Sequence, residues 1–204
     1  MRIYEILQES VSKQKMLSDA VEAWVEEGYK HYYDNGFDKN PALTRRQRRL
    51  SILYSNIDLL EKMIIDLSGV AGTLPTYTGN LYRGTGLPDN DFSSIIAGKP
   101  ITITGNPSRR ITSWTKNKKI AIDFAQMAID EYFSEKPSSA MVIEMPSHSL
   151  NLLIDVDEIL GRSEFESEII VLNKPFLIKP QNVVVIYPSS NLRDVNNLPK
   201  EIIL

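Results

Sequence analysis

The chain contains no cysteine in 204 residues. That absence excludes thiolate catalysis, Cys-ligated zinc, iron–sulfur clusters and disulfides together. Histidine is scarce. His31 and His148 are the two in the chain, too few for a three-His zinc site. No apolar run approaches the roughly 18 residues that a membrane span needs. The opening Met-Arg-Ile-Tyr-Glu-Ile-Leu-Gln-Glu-Ser lacks the continuous apolar stretch of a secretory signal. A basic excess is also missing. Lys and Arg number 23 against 26 Asp and Glu, for a net charge of −3, and nucleic-acid-binding domains are typically basic. The composition that remains, 42% hydrophobic and 24% charged, is that of a soluble globular protein. Its length suits one large domain or two small ones and can bury a core without covalent staples. Any chemistry must come from carboxylates, hydroxyls and guanidinium groups.

The patterning divides near residue 75. Before it, the sequence reads as helical. Leu17, Ala20, Val21, Trp24 and Val25 repeat at the spacing of one buried helix face. Asp34-Asn35-Gly36 is turn chemistry. Thr44-Arg45-Arg46-Gln47 has the form of a capping box, with Leu50, Leu53, Tyr54, Ile57 and Ile64 as the stripe that follows. After residue 78, short runs of strand length appear: Asn80–Arg83, Pro100–Thr104, Arg110–Trp114, Ala140–Met145, Glu168–Leu172 and Asn182–Tyr187. One helix interrupts them. Asn117 is its expected N-cap, and Ile120, Phe124, Met127 and Ala128 share a face. The expected class is α+β, with helices over residues 1–75 and a strand-rich core over 76–204.

Four features bear on function. Tyr82-Arg83-Gly84-Thr85-Gly86 begins like a dinucleotide fingerprint, but the third glycine is missing and Leu87-Pro88 stands where a helix should start. A Rossmann reading is rejected, and the expected structure is a strand ending at Arg83 with a glycine turn after it. Such an arginine is ordinarily a surface charge, and alternatively a fork-shaped phosphate clamp. Arg45, Arg46, Arg48 and Arg49 form a basic cluster that reads as a solvated helix face or a docking surface. Glu164, Glu166 and Glu168 would share one face of an extended chain, where like charges repel. Ile169-Ile170-Val171-Leu172 follows directly, so Glu168 is expected where the chain enters the core. Paired carboxylates suit chemistry at an anomeric carbon. Ser113-Trp114-Thr115 ends a strand, where hydroxyls ordinarily cap turns.

In combination, Leu81-Tyr82-Arg83-Gly84, Ile111-Thr112-Ser113-Trp114-Thr115 with Ala121 and Phe124-Ala125, and Glu166-Ser167-Glu168-Ile169-Ile170-Val171 with Pro175-Phe176 resemble the mono-ADP-ribosyltransferases of the Arg–Ser–Glu class. The likeness covers roughly residues 75–190. Trp114 and Thr115 depart from the second and third members of the family's hydroxyl triplet.

The resemblance implies two packed β-sheets around a cleft that binds NAD as co-substrate, bordered by N-terminal helices and needing no metal. It implies that Arg83 holds the phosphates, with Gly84, Trp114 and Thr115 beside the dinucleotide. Ser113 would fix the glutamate and the nicotinamide ribose. Glu168 would bind the ribose 2′-hydroxyl and stabilise the cation, and Glu166 would orient or deprotonate the acceptor. A Glu two positions before the catalytic one implies arginine of a target protein as acceptor. Residues 1–9 read as an amphipathic helix start, and they also resemble capsid-targeting peptides of tailed phages, with Leu7-Gln8-Glu9 as the cleavage setting. On that reading the enzyme is packaged in the virion and acts in the host cytoplasm. The alternatives are an NAD glycohydrolase using the same cleft, or a non-catalytic virion protein of the same fold.

Overall fold

The computed structural model describes residues 12–25, 56–69, 75–103, 110–129, 139–161, 167–189 and 199–204. The capping box at Thr44, the Arg45–Arg49 cluster, the first nine residues, Glu164 and Glu166 lie outside them. Among the described residues two helices come first, α1 (Lys13–Val25) and α2 (Ile57–Ser68). Helix α1 buries Leu17, Ala20 and Val21, the stripe read from the sequence. Helix α2 starts at Asn56, whose side chain accepts the Leu59 amide at 3.1 Å, with Asp58 in the first turn to complement the helix dipole.

The rest is α+β and its strands pair antiparallel. In chain order it comprises β1 (Asn80–Leu87), α3 (Asp89–Ile96), β2 (Ile101–Ile103), β3 (Ile111–Thr115), α4 (Lys118–Ile129), β4 (Ser139–Pro146), β5 (Leu152–Asp155), α5 (Val156–Leu160), β6 (Glu168–Leu172), β7 (Phe176–Ile178), β8 (Val183–Tyr187) and β9 (Ile202–Ile203). Seven strands form one sheet in the order β5-β6-β3-β1-β4-β8-β9, and β2 and β7 pair as a separate ribbon. Each strand run read from the sequence falls on a strand. Not anticipated were α3, β5, α5, β7 and β9. These elements are short, so periodicity has too few residues in which to register.

The core lies on both faces of the large sheet. On one face Ile111, Ile154 and Ile170 pack with Leu17, Ala20, Val21, Leu60 and Ile64 of α1 and α2. The N-terminal helices are thus seated on strands β3, β5 and β6. On the other face Leu81, Trp114, Met141, Ile143 and Ile169 pack with Ile101 and Ile178 of the ribbon. Helix α4 covers the far part of the sheet through Ala121 and Ala125 against Ala140, Val142 and Val185. Its N-cap is as expected: the Asn117 side chain accepts the Lys119 amide at 2.9 Å.

One expectation needs correction. The chain does not turn after Arg83. Strand β1 runs on through Gly84, Thr85 and Gly86, all paired with β4. Neither glycine has a positive φ, which among the described glycines belongs to Gly98 and Gly161. Gly84 is required for proximity instead. A Cβ there would lie 2.1 Å from the Ala121 carbonyl oxygen and 2.5 Å from the Ala125 nitrogen. Both are helix backbone and cannot swing aside. The small residues of α4 and the missing side chain of Gly84 together bring helix and strand into backbone contact. Gly84→Ala should therefore destabilise the fold by about 1–3 kcal/mol, the usual cost of overpacking. Urea unfolding would read this as a lowered midpoint with an unchanged m-value.

Candidate active site

Adjacent strands β6, β3 and β1 carry Glu168, Ser113 and Arg83. The register explains how the first two meet. Thr115 lies opposite Glu168 and Ser113 opposite Ile170, so Ser113 and Glu168 are diagonal neighbours on one sheet face. A glutamate side chain is long enough to bridge that diagonal. The Ser113 hydroxyl donates to Glu168 Oε1. Glu168 is only 5% exposed, a carboxylate sunk in the sheet where Ile170, two residues on, enters the core. A buried carboxylate persists only where donors meet it, and this site supplies them.

Strands β3 and β1 come into register at Tyr82 and Thr115 alone. Beyond that pair the ladder is interrupted and an arginine side chain fills the gap: Arg83 Nη1 donates to the Ser113 carbonyl at 3.2 Å. No carboxylate among the described residues forms an ion pair with Arg83. Burial without a counter-charge lowers its pKa to about 10. Because the folded-state value is depressed for a base, the desolvation cost is present at neutral pH. It is relieved only as pH rises through about 10. A guanidinium left in this condition is prepared for an anionic ligand.

A cavity of about 300 Å³ lies over these groups, lined by Arg83, Ser113, Glu168, Tyr82, Trp24 and Phe124 among others. A second, of about 360 Å³, is lined by Thr85, Asp91, Ile103, Asn173 and Phe176. Arg83 and Thr112 border both. Taken as two lobes of one site, the cavities share Arg83 in their walls, and each falls at the low end of the usual range for small-molecule sites, about 300–1,000 Å³. A dinucleotide has this form, two nucleoside halves with a pyrophosphate between. A guanidinium in the walls of both cavities, with no ion-pair partner among the described residues, is the kind of group that a pyrophosphate requires, so the residues present fit that class of ligand.

The other residues singled out from the sequence divide. Gly84 and Thr115 line the first lobe. The Thr115 hydroxyl accepts the Asn117 amide at 3.0 Å, the turn-capping role ordinarily expected of it. Trp114 also borders the cavity, but it is 2% exposed and its ring packs on Phe176 at 5.7 Å between centroids, on the core face opposite Ser113. Of the segment from Glu164 to Glu168, Ser167 and Glu168 are described, and Ser167 is not extended. Its φ of 45° lies in the left-handed region, directly before β6 begins. Among the described residues no group of three or more His, Asp or Glu is placed to hold a metal, and no helix is long and apolar enough to cross a membrane.

One site residue was not anticipated. The indole Nε1 of Trp24 donates to Glu168 Oε1 at 3.0 Å and lies 3.2 Å from Ser113 Oγ. In sequence Trp24 reads as one more position on the buried face of a helix. The only signal otherwise was its N–H, which a half-buried indole must pair.

No protein-family model matches the sequence, and no curated protein sequence is similar to it. Among solved structures the chain is similar to the crystal structure of ADP-ribosyltransferase Vis in complex with the M6 inhibitor. The match has 13% sequence identity and a TM-score of 0.48, and covers 87% of this chain and 74% of that one. At that distance no functional residue carries over between the two.

The anion-ready state of Arg83 gives a direct expectation. Pyrophosphate at about 100 times its Kd should stabilise the protein by about 2.7 kcal/mol, seen as a raised unfolding midpoint. Arg83→Gln should abolish that gain, because the cationic partner of the anion is gone.

Proposed function

We propose that the cleft binds NAD and that the protein transfers ADP-ribose from it to an arginine side chain of a target protein. The observation that carries this reading is that three side chains distant in sequence, Arg83, Ser113 and Glu168, line one cavity. A buried carboxylate held by a hydroxyl lies in the first lobe, and a guanidinium without an ion-pair partner among the described residues borders both lobes.

On this reading Arg83 takes the pyrophosphate, so the nicotinamide ribose enters the lobe that holds Ser113 and Glu168. The bond between ribose C1′ and the nicotinamide nitrogen breaks. Its electron pair goes to the ring nitrogen, which loses its positive charge, and nicotinamide leaves neutral. The cation that develops at C1′ is stabilised by the negative charge of Glu168, which also accepts a hydrogen bond from the ribose 2′-hydroxyl. In a cavity walled by Trp24, Tyr82 and Phe124 that charge acts at low dielectric, where electrostatic stabilisation is strongest. A nitrogen of the acceptor guanidinium then forms the new bond to C1′ and loses a proton. Glu166, which lies outside the described residues, is the proposed base. An arginine guanidinium has a pKa above about 12, so a second carboxylate both attracts it and takes its proton.

Labelled NAD offered with agmatine or an arginine-rich protein tests the reading. Wild-type protein is expected to release nicotinamide and to label the acceptor. Glu168→Gln should lower the rate by about 100-fold or more, the typical loss for a transition-state stabiliser. Release without labelling, unchanged by acceptor, would instead identify a glycohydrolase. No release and no NAD binding by calorimetry would overturn both.

A further inference from the structure

We propose that Trp24 is a positioning residue for Glu168, so that helix α1 is part of the catalytic site and not an appendage to it. This rests on the reading of the cleft as an NAD site. The geometry has three parts. First, the Trp24 indole N–H and the Ser113 hydroxyl donate to the same oxygen, Glu168 Oε1, from different elements. Donors converging from a helix and from a neighbouring strand hold the carboxylate in one orientation, which a single donor cannot do. Second, helix α1 is seated on the strands that bear the site. Leu17, Ala20, Val21 and Ala23 share one buried cluster with Ile111, two residues before Ser113, and with Ile170, two residues after Glu168. The strand period places Ile111 and Ser113 on the same face, and likewise Ile170 and Glu168. The apolar contact that docks the helix is therefore adjacent to the polar contact that holds the glutamate. Third, Trp24 itself forms part of the wall of the first lobe. Its N–H is shared between Glu168 Oε1 at 3.0 Å and Ser113 Oγ at 3.2 Å, the carboxylate being the nearer, so the ring keeps one placement there.

A carboxylate that stabilises a developing cation acts only if it stays aimed at C1′, and small misplacements are costly. Binding of the pyrophosphate by Arg83 does not need Trp24. Loss of the indole N–H should thus act on kcat and leave KM for NAD nearly unchanged, the signature of an interaction realised in the transition state. A purely structural tryptophan would not separate the two.

The test has a kinetic and a spectroscopic arm. Trp24→Phe keeps the aromatic bulk and removes the donor. Its kcat for nicotinamide release is expected to fall about 10- to 100-fold with KM within about twofold of wild type. Trp24→His, which keeps a ring N–H, should retain more kcat than Trp24→Phe. Combined with Ser113→Ala, which acts through the same oxygen, Trp24→Phe should cost less than the product of the single losses. The chain has two tryptophans, and Trp114 Nε1 has no hydrogen-bond partner. The ¹⁵N–¹H spectrum therefore holds two indole signals, of which Trp24 alone should move upfield in Glu168→Ala. If Trp24→Phe does not fold, the spectra of Trp114→Phe with and without Glu168→Ala decide the question. The proposal is overturned by an unmoved Trp24 signal, by a kcat within twofold of wild type, by a loss confined to KM, or by losses that multiply. If the wild-type protein releases no nicotinamide, the NAD reading falls and this inference with it. If the wild type turns over and Trp24→Phe does so equally, the inference falls alone.

Discussion

The interruption between β1 and β3 is the constraint on which the rest of the structure depends. These strands are neighbours in the large sheet, yet they are in register at Tyr82 and Thr115 alone. Had the ladder continued, backbone would have bonded to backbone and no cleft could open at that place. Instead the Ser113 carbonyl takes its hydrogen bond from the Arg83 side chain. The sheet remains continuous while leaving, at the interruption, a charged side chain that borders two cavities. A guanidinium suits this role because its planar fork bonds to a carbonyl with one nitrogen and keeps other donors for a ligand.

Packing holds the gap open. On one side, Gly84 lets α4 rest on β1 with backbone against backbone, which fixes the strand bearing Arg83. On the other, β3 and β6 are paired along five residues and covered by α1 and α2. Each side of the cleft thus has its own apolar support, and the two meet at a polar seam. The seam contains a buried carboxylate and a guanidinium with no ion-pair partner among the described residues, both unfavourable for folding by themselves. Such groups are retained where a ligand or a reaction uses them.

The N-terminal helices belong to this arrangement. Their apolar stripe, a plain amphipathic feature in the sequence, is buried against the strands of Ser113 and Glu168. Trp24, at the end of that stripe, lies where the apolar cover gives way to the polar seam, and its two-sided character suits the position: an apolar ring with one donor.

What the amino-acid order determined by itself is local. Periodicity set α1, β-branched runs set β6 and β8, and Asn117 set the start of α4, because each depends on neighbours within a turn or two of chain. Arg83, Ser113 and Glu168 could be singled out because each has an uncommon setting: an arginine before a glycine pair, hydroxyls at a strand end, a carboxylate leading into an apolar run. Tertiary structure decided the rest. The role of Gly84 depends on a helix about 40 residues away, invisible to any local rule for glycine. The partnership of Trp24 with Glu168 spans 144 residues and follows from the docking of a helix on a sheet. That Arg83 borders two cavities, and does not lie on the surface, depends on where two strands cease to pair. Strand pairing and helix docking are collective outcomes of burying many side chains at once, and no short stretch of sequence carries that information.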